Sequence, residues 1–208
     1  MAENERKADR RVAVTKTVIK DAMLALLKQD SFDKVTVAAL CREAGVGRAT
    51  FYTHYAGLMN VIDELADDAI GAVSHGDTSA YETTALLAEL VRPMEHAREL
   101  EQYLDLLPIC QRVADDPRYR PLFKDDHIAE YIILRIFRQE GARVVPKLME
   151  DTGMSRLEAE SIFLFGVMGA FAVNRSLHWT KNDNWYSIQR LLLTYANGGY
   201  QAIKTLKK

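Results

Sequence analysis

Residues 36–55 read TVAALCREAGVGRATFYTHY, and this stretch decides the fold. Val37, Leu40, Cys41 and Ala44 recur at i, i+3, i+4 and i+7, one apolar face over two helical turns, with Thr36 standing where an N-cap belongs. Gly45 follows the last apolar position, where a helix ends on a residue that tolerates positive φ, and Val46 supplies an apolar plug. A second helix is predicted over about Gly47 to Tyr55, with Phe51 and Tyr55 inward and Arg48, Ala49, Thr50, Tyr52, Thr53 and His54 across the outer arc. The pattern is a helix-turn-helix.

The outer arc carries the chemistry that reads DNA. Arg forks onto guanine O6 and N7, Thr bonds a base or a phosphate, Tyr and His hold phosphates, and a small Ala lets a helix sit deep. Periodicity alone leaves open a plainer alternative, an amphipathic hairpin whose polar face is merely solvated. The flanks favour DNA. Upstream, Val14, Val18, Ala22 and Leu26 form a helical stripe, with Arg6, Lys7, Arg10, Arg11, Lys16 and Lys20 at and before its start. A basic entry of this kind suits a phosphate backbone.

Together these residues resemble the N-terminal domain of the TetR family of bacterial transcriptional regulators. TVAALCREAGVGRATFYTHY looks like the family's second helix, turn and third helix, VIDELADDAI like the start of its fourth, and the resemblance spans roughly residues 10 to 70. It implies an all-α homodimer with a helix-turn-helix domain over residues 1–58, including a basic arm over 1–11, and a helical regulatory and dimerisation domain over 59–208. It further implies a near-palindromic double-stranded operator, a small-molecule effector, and most often repression. Carried over by position, Thr36 touches a phosphate, Arg48 and Thr50 approach bases, and Tyr52, Thr53 and His54 hold the backbone or nearby bases. Gly47 and Ala49 complete the DNA-facing set. One position departs: where the family commonly has Lys at the start of the fourth helix, this chain has Leu58.

The 208 residues and 48% hydrophobic content suffice for a small DNA-binding domain and a larger core. The net charge of −2 argues against a generic nucleic-acid coat protein, but it is unevenly spread. Residues 1–60 hold ten Lys or Arg against seven Asp or Glu; residues 61–101 hold two against ten, among them Asp63, Glu64, Asp67, Asp68 and Asp77. The acidic stretch reads as a solvated helical face turned away from DNA. Two cysteines, Cys41 and Cys110, make no disulfide framework and are expected reduced. No basic start precedes a long apolar run, so a cytoplasmic protein without a signal peptide is expected. The most apolar run, IFLFGVMGAFAV over 162–173, is about half of the roughly 20 residues a membrane span needs. A buried helix fits it better.

Beyond the fourth helix, expected to end near Gly76, prolines 93, 108, 117, 121 and 146 mark boundaries. Helices are expected over Thr84–Val91 and Met94–Leu107, a loop over 114–121, and a further helix from about Lys124 on to Met149. Ser155 and Glu158 form an S-x-x-E capping box for a helix to about His178, and Asp183 or Asn184 caps the last. These two helices form the expected dimer element, through Phe165, Gly166, Gly169, Ala170 and Val173 on one and Ile188, Leu191, Leu192 and Tyr195 on the other. Trp185 belongs to that second stripe, and Gly198 and Gly199 weigh against a long final helix. Effector-pocket candidates are His96, Tyr103, Cys110, Tyr131, Phe137, Phe163, Met168 and Phe171, chosen as aromatic, soft or polar. Core packing is the plainer role for each.

Enzymatic readings fail on motif. There is no glycine-rich phosphate loop, G-x-S-x-G, H-E-x-x-H or C-x-x-C, and the five histidines are scattered, so no cofactor, metal or catalytic residue is expected. Two alternatives to the regulator stay open: a helical protein-interaction module, and a DNA-binding protein of this fold controlled by a protein partner.

Overall fold

The structure is a computed structural model that describes residues 2–73 and 80–206; side chains of residues 2–8, 80, 81, 83 and 110 lie outside the description. Ten α-helices are formed among the described residues, and no strand: α1 Ala2–Leu27, α2 Val37–Glu43, α3 Arg48–His54, α4 Leu58–Val73, α5 Ala80–Val91, α6 Ile109–Asp115, α7 Arg120–Lys124, α8 Ala129–Thr152, α9 Arg156–Ser176 and α10 Asp183–Leu206. The fold is all-α. Two compact units result, the first from residues 1–72 with 117–132, the second from 73–116 with 133–208.

The packing therefore divides the chain differently from a single cut at residue 58. Helix α4 stays with the first unit because Val61, Ile62, Leu65 and Ala66 bury their side chains there. The returning segment is held to the same unit by polar ties. Arg118 pairs with Asp21 at 2.8 Å, and Tyr131 donates to Asp63. The buried Asp125 accepts from the Phe32 amide at 2.6 Å while also capping the start of α8, through His127 N at 2.9 Å and Ile128 N at 3.2 Å. A carboxylate removed from water needs such donors.

In the first unit the buried face of α1 is Ile19, Ala22, Met23, Leu24 and Leu27; of the expected stripe Ala22 is buried and Leu26 half-buried, while Val14 and Val18 are exposed. Both stripes obey a helical period, and burial against α2 selects the face shifted by one residue. Thr36 caps α2 by accepting from Ala39 N at 3.1 Å. At its other end Gly45 adopts φ +64°, with Gly45 N donating to Arg42 O at 3.2 Å and Val46 N to Cys41 O at 3.0 Å. This is a Schellman turn, which satisfies the last carbonyls of α2 and redirects the chain into α3.

The second unit corrects several boundaries. Residues 114–121 are not all loop, since α6 reaches Asp115 and Pro121 sits in the first turn of α7, where its missing N–H costs nothing. Residues 97–106 form a 3₁₀ segment broken at Tyr103 rather than a regular helix. Pro146 does not end α8; both it and Ala142, whose carbonyl it leaves without an amide, lie on the exposed face where water serves. The Ser155–Glu158 capping box is present, with Ser155 N donating to Glu158 Oε2 at 2.7 Å. α9 ends at Ser176 rather than His178, and α10 is capped by Asn182, whose Oδ1 accepts from Trp185 N at 3.0 Å. Helix α10 continues unbroken through Gly198 and Gly199. Leu87, Val91, Leu100, Leu107, Trp185, Tyr186 and Leu193 form one core of this unit, and Val144, Val145, Leu148, Met154 and Ala159 another.

Candidate nucleic-acid interface

Helix α3 is held by its inner face and free on its outer one. Phe51 is fully buried and Tyr55 nearly so, their rings 5.8 Å apart, locking the helix against α1 and α2. Gly47, Arg48, Ala49, Thr50, Tyr52 and Thr53 are exposed and His54 is half-buried, so all the α3 residues expected to meet DNA lie together on the solvent side. Tyr52, 58% exposed, meets only the edge of Phe51, at 5.3 Å between centroids. Among the described residues, no hydrogen bond or ion pair engages Arg48, Thr50 or His54. Thr53 differs, because its hydroxyl donates to Ala49 O at 2.9 Å and is left as an acceptor unless it rotates. Thr36 is exposed, and while its oxygen caps α2 its O–H remains available to donate.

The basic entry is reduced by internal pairing. Lys16 binds Glu64 at 2.5 Å and lies 5.4 Å above the Tyr55 ring, while Lys20 pairs with Asp68. Tyr55 donates its hydroxyl to Glu64 Oε2 at 2.8 Å. Lys16 and Lys20 thus staple α1 to α4 instead of offering charge outward. Nor is the acidic stretch merely solvated: Glu64 and Asp68 answer these lysines. Burial, then the Glu64 carboxylate, pushes the Tyr55 phenol far above its ordinary range, so it stays a donor. Burial works against ionisation of Glu64 itself, but hydrogen bonds from Lys16 and Tyr55 outweigh it and hold the carboxyl below its ordinary value. Arg10 and Arg11 remain exposed, and the side chains of Arg6 and Lys7 lie outside the description, as does Asp77. Leu58, at the start of α4, is half-buried and supplies no charge.

Residues 19–57, from the second half of α1 to the loop before α4, match the family described as bacterial regulatory proteins, tetR family. Residues 19–57 therefore carry a helix-turn-helix domain of the TetR family. The chain is 31% identical over 104 residues to the uncharacterized HTH-type transcriptional regulator YxbF of Bacillus subtilis (strain 168), a match covering 45% of this chain and 27% of that one. The chain thus spans little more than a quarter of that relative's length. Among solved structures it resembles the dihydroxyacetone kinase operon activator DhaS, with a TM-score of 0.47 and 16% identity over 94% of this chain and 99% of the other.

Among the described residues no group of three or more His, Cys, Asp or Glu could hold a metal ion. Of the residues singled out for an effector, Phe137 and Phe163 meet each other, stacked at 5.2 Å; Phe171 is buried beside Trp179 at 6.0 Å; Met168 is half-buried on α9. Tyr103 packs at the edge of the Leu87–Leu193 core, His96 is exposed at the head of the 3₁₀ segment, and Tyr131 belongs to the first unit. The Cys110 side chain lies outside the description; Cys41 is a buried free thiol.

Sequence reasoning missed a buried polar relay in the second unit. Trp185 Nε1 donates to Asn174 Oδ1 at 2.7 Å, Gln189 Nε2 to the same oxygen at 3.3 Å, and Gln111 Nε2 to Gln189 Oε1 at 3.2 Å. An indole can only donate, so Trp185 fixes the orientation of all three amides and leaves Gln111 Oε1 without a donor. A lone Gln or Asn carries no sequence signal of burial. Of the residues expected to form the dimer element, Phe165, Gly166, Gly169, Leu191 and Tyr195 are exposed and Ala170, Val173, Ile188 and Leu192 half-buried, whereas Trp185 turns inward with Tyr186, Gln189 and Leu193. Leu157, Ile162 and Leu206 are exposed as well. Helix α9 proves long and apolar enough to cross a membrane by length and composition, more than the 162–173 run implied. One such helix is weak support for a span, and Arg156, Glu158 and Glu160 open it.

Proposed function

We propose that this TetR-family regulator binds a near-palindromic operator as a homodimer, acts as a repressor in the cytoplasm, and responds to a small-molecule effector held by its second unit. The observation that carries the DNA reading is the division of α3. Its apolar side chains are consumed in the core, while no hydrogen bond or ion pair among the described residues engages Arg48, Thr50 or His54. Arg48 and Thr50 supply base readout, and Thr36, Tyr52, Thr53 and His54 supply phosphate contacts that set the register.

The homodimer is supported by a surface that a monomer has no use for. Ile162, Phe165, Gly166 and Gly169 on α9 and Leu191, Tyr195, Gly198 and Gly199 on α10 form two exposed stripes at helical spacing. A Cβ added at any of these four glycines would meet nothing within 4 Å, so the room beside them is available to a second backbone. Contiguous apolar surface of this kind marks an association site, and the same stripe on two copies meets itself about a twofold axis. Two α3 helices so held read half-sites about one helical turn apart, and an effector that alters their separation alters affinity without touching a base.

The test is selection of bound duplexes from a random pool by the purified full chain, with sequencing of what is retained. An enriched inverted repeat is expected, giving operator and dimer symmetry together. No enrichment at low salt overturns the DNA reading and leaves a protein-interaction module in its place.

A further inference from the structure

Helix α8 turns Ile133, Ile136, Glu140, Val144 and Leu148 into the interior, at i, i+3, i+7, i+11 and i+15. Four of the five are apolar and the middle one is a carboxylic acid. Glu140 is 6% exposed, and its Oε2 is covered with no hydrogen-bond partner. Among the described residues no cation pairs with it; Arg138 and Arg143, its neighbours along α8, lie on the exposed side. An ionised carboxylate buried without a partner is costly enough that something must neutralise it. The described residues offer no counter-charge, so the neutralising group is a proton or a cation from outside them.

The surroundings favour a cation with an apolar body. Phe137, one turn before Glu140, stacks on Phe163 of α9 with the rings 29° from parallel, and Phe163 Cε1 lies 3.8 Å from where a Cβ on Gly141 would stand. The pair therefore flanks α8 at the level of the acid, and aromatic faces attract cations. The other buried oxygen without a donor in this unit, Gln111 Oε1, is an acceptor too, its polarity fixed by Trp185. Both oxygens call for donors.

We propose that the second unit binds an organic cation, an ammonium or amidinium on an aromatic or aliphatic body, with its N–H groups on Glu140 and its apolar part against Phe137 and Phe163. This names the chemical class of the effector and rests on the effector reading above. The test is calorimetric titration of the full chain at neutral pH with benzylammonium and benzamidinium, against neutral benzyl alcohol and anionic benzoate. At least one cation is expected to bind about tenfold or more tighter than benzyl alcohol, and Glu140→Gln, which keeps the shape and removes the charge, to abolish that preference. Should that variant not fold, Glu140→Asp must weaken the cation several-fold and leave benzyl alcohol unchanged. The proposal is overturned if neither cation outbinds benzyl alcohol, or if the preference survives both variants. Operator affinity, measured in parallel, separates the two readings. A cation that binds through Glu140 without changing operator affinity leaves the site standing and removes the effector role; release by a neutral compound alone removes the cation and keeps the role.

Discussion

Arg48 is the residue on which base readout is staked, because it is exposed on the first turn of α3 and unpaired among the described residues. Replacing it with Ala should cost about 1–3 kcal/mol on the selected operator and far less on random duplex, measured as two dissociation constants at one salt concentration. Equal losses on both would make it a phosphate contact. Glu64 is a stability residue in the same unit. Its folded carboxyl titrates below its ordinary value, so its contribution is present above the ordinary carboxylate range and is lost as pH falls through the lower folded value. Glu64→Gln should therefore destabilise the chain at neutral pH by about 0.5–1 kcal/mol, a modest figure because the group is about a third exposed and screened. In melts at decreasing pH the difference from the unmodified chain should close; a constant gap would assign the loss to packing.

Two helices end in the same hydrogen-bond pattern with different residues at the left-handed position. Gly45 closes α2 at φ +64°, whereas His178 closes α9 at φ +51°, with His178 N donating to Arg175 O at 2.9 Å and Trp179 N to Asn174 O at 3.0 Å. A side chain pays for that backbone region with about 1 kcal/mol relative to glycine. A Cβ at Gly45 would meet nothing within 4 Å, so Gly45→Ala isolates the backbone effect and should lower stability by about 1 kcal/mol, while His178→Gly should raise it by a similar amount. Denaturant titration of both variants checks this, and opposite signs are required. The helix-turn-helix was legible at this scale because capping and turn chemistry are local: Thr36, Gly45 and the Ser155–Glu158 box act within four residues of themselves. The buried face of α1 was not, because Val14 and Val18 fit a helical period as well as Ile19 and Met23 do. Only the neighbour decides between them.

At the scale of the whole molecule, the two apolar stripes of α9 and α10 predict assembly. Phe165, 65% exposed, and Tyr195, 70% exposed, stand on the open faces of those helices. Phe165→Glu combined with Tyr195→Glu should convert a species of two chains into one of a single chain by light scattering at micromolar concentration, and weaken operator binding while leaving far-ultraviolet helicity unchanged. Retention of the dimer would place the twofold contact elsewhere. The sequence by itself determined the all-helical class, the helix-turn-helix and the outward arc of α3, since periodicity, caps and a turn glycine are written in adjacent residues. Only the tertiary structure decided that Lys16 and Lys20 answer Glu64 and Asp68, that residues 117–132 return to the first unit, and that Asn174, Gln189 and Glu140 are buried. Those outcomes join residues distant along the chain or depend on which face a neighbour covers, and a side chain's burial and partner are set by what packs against it.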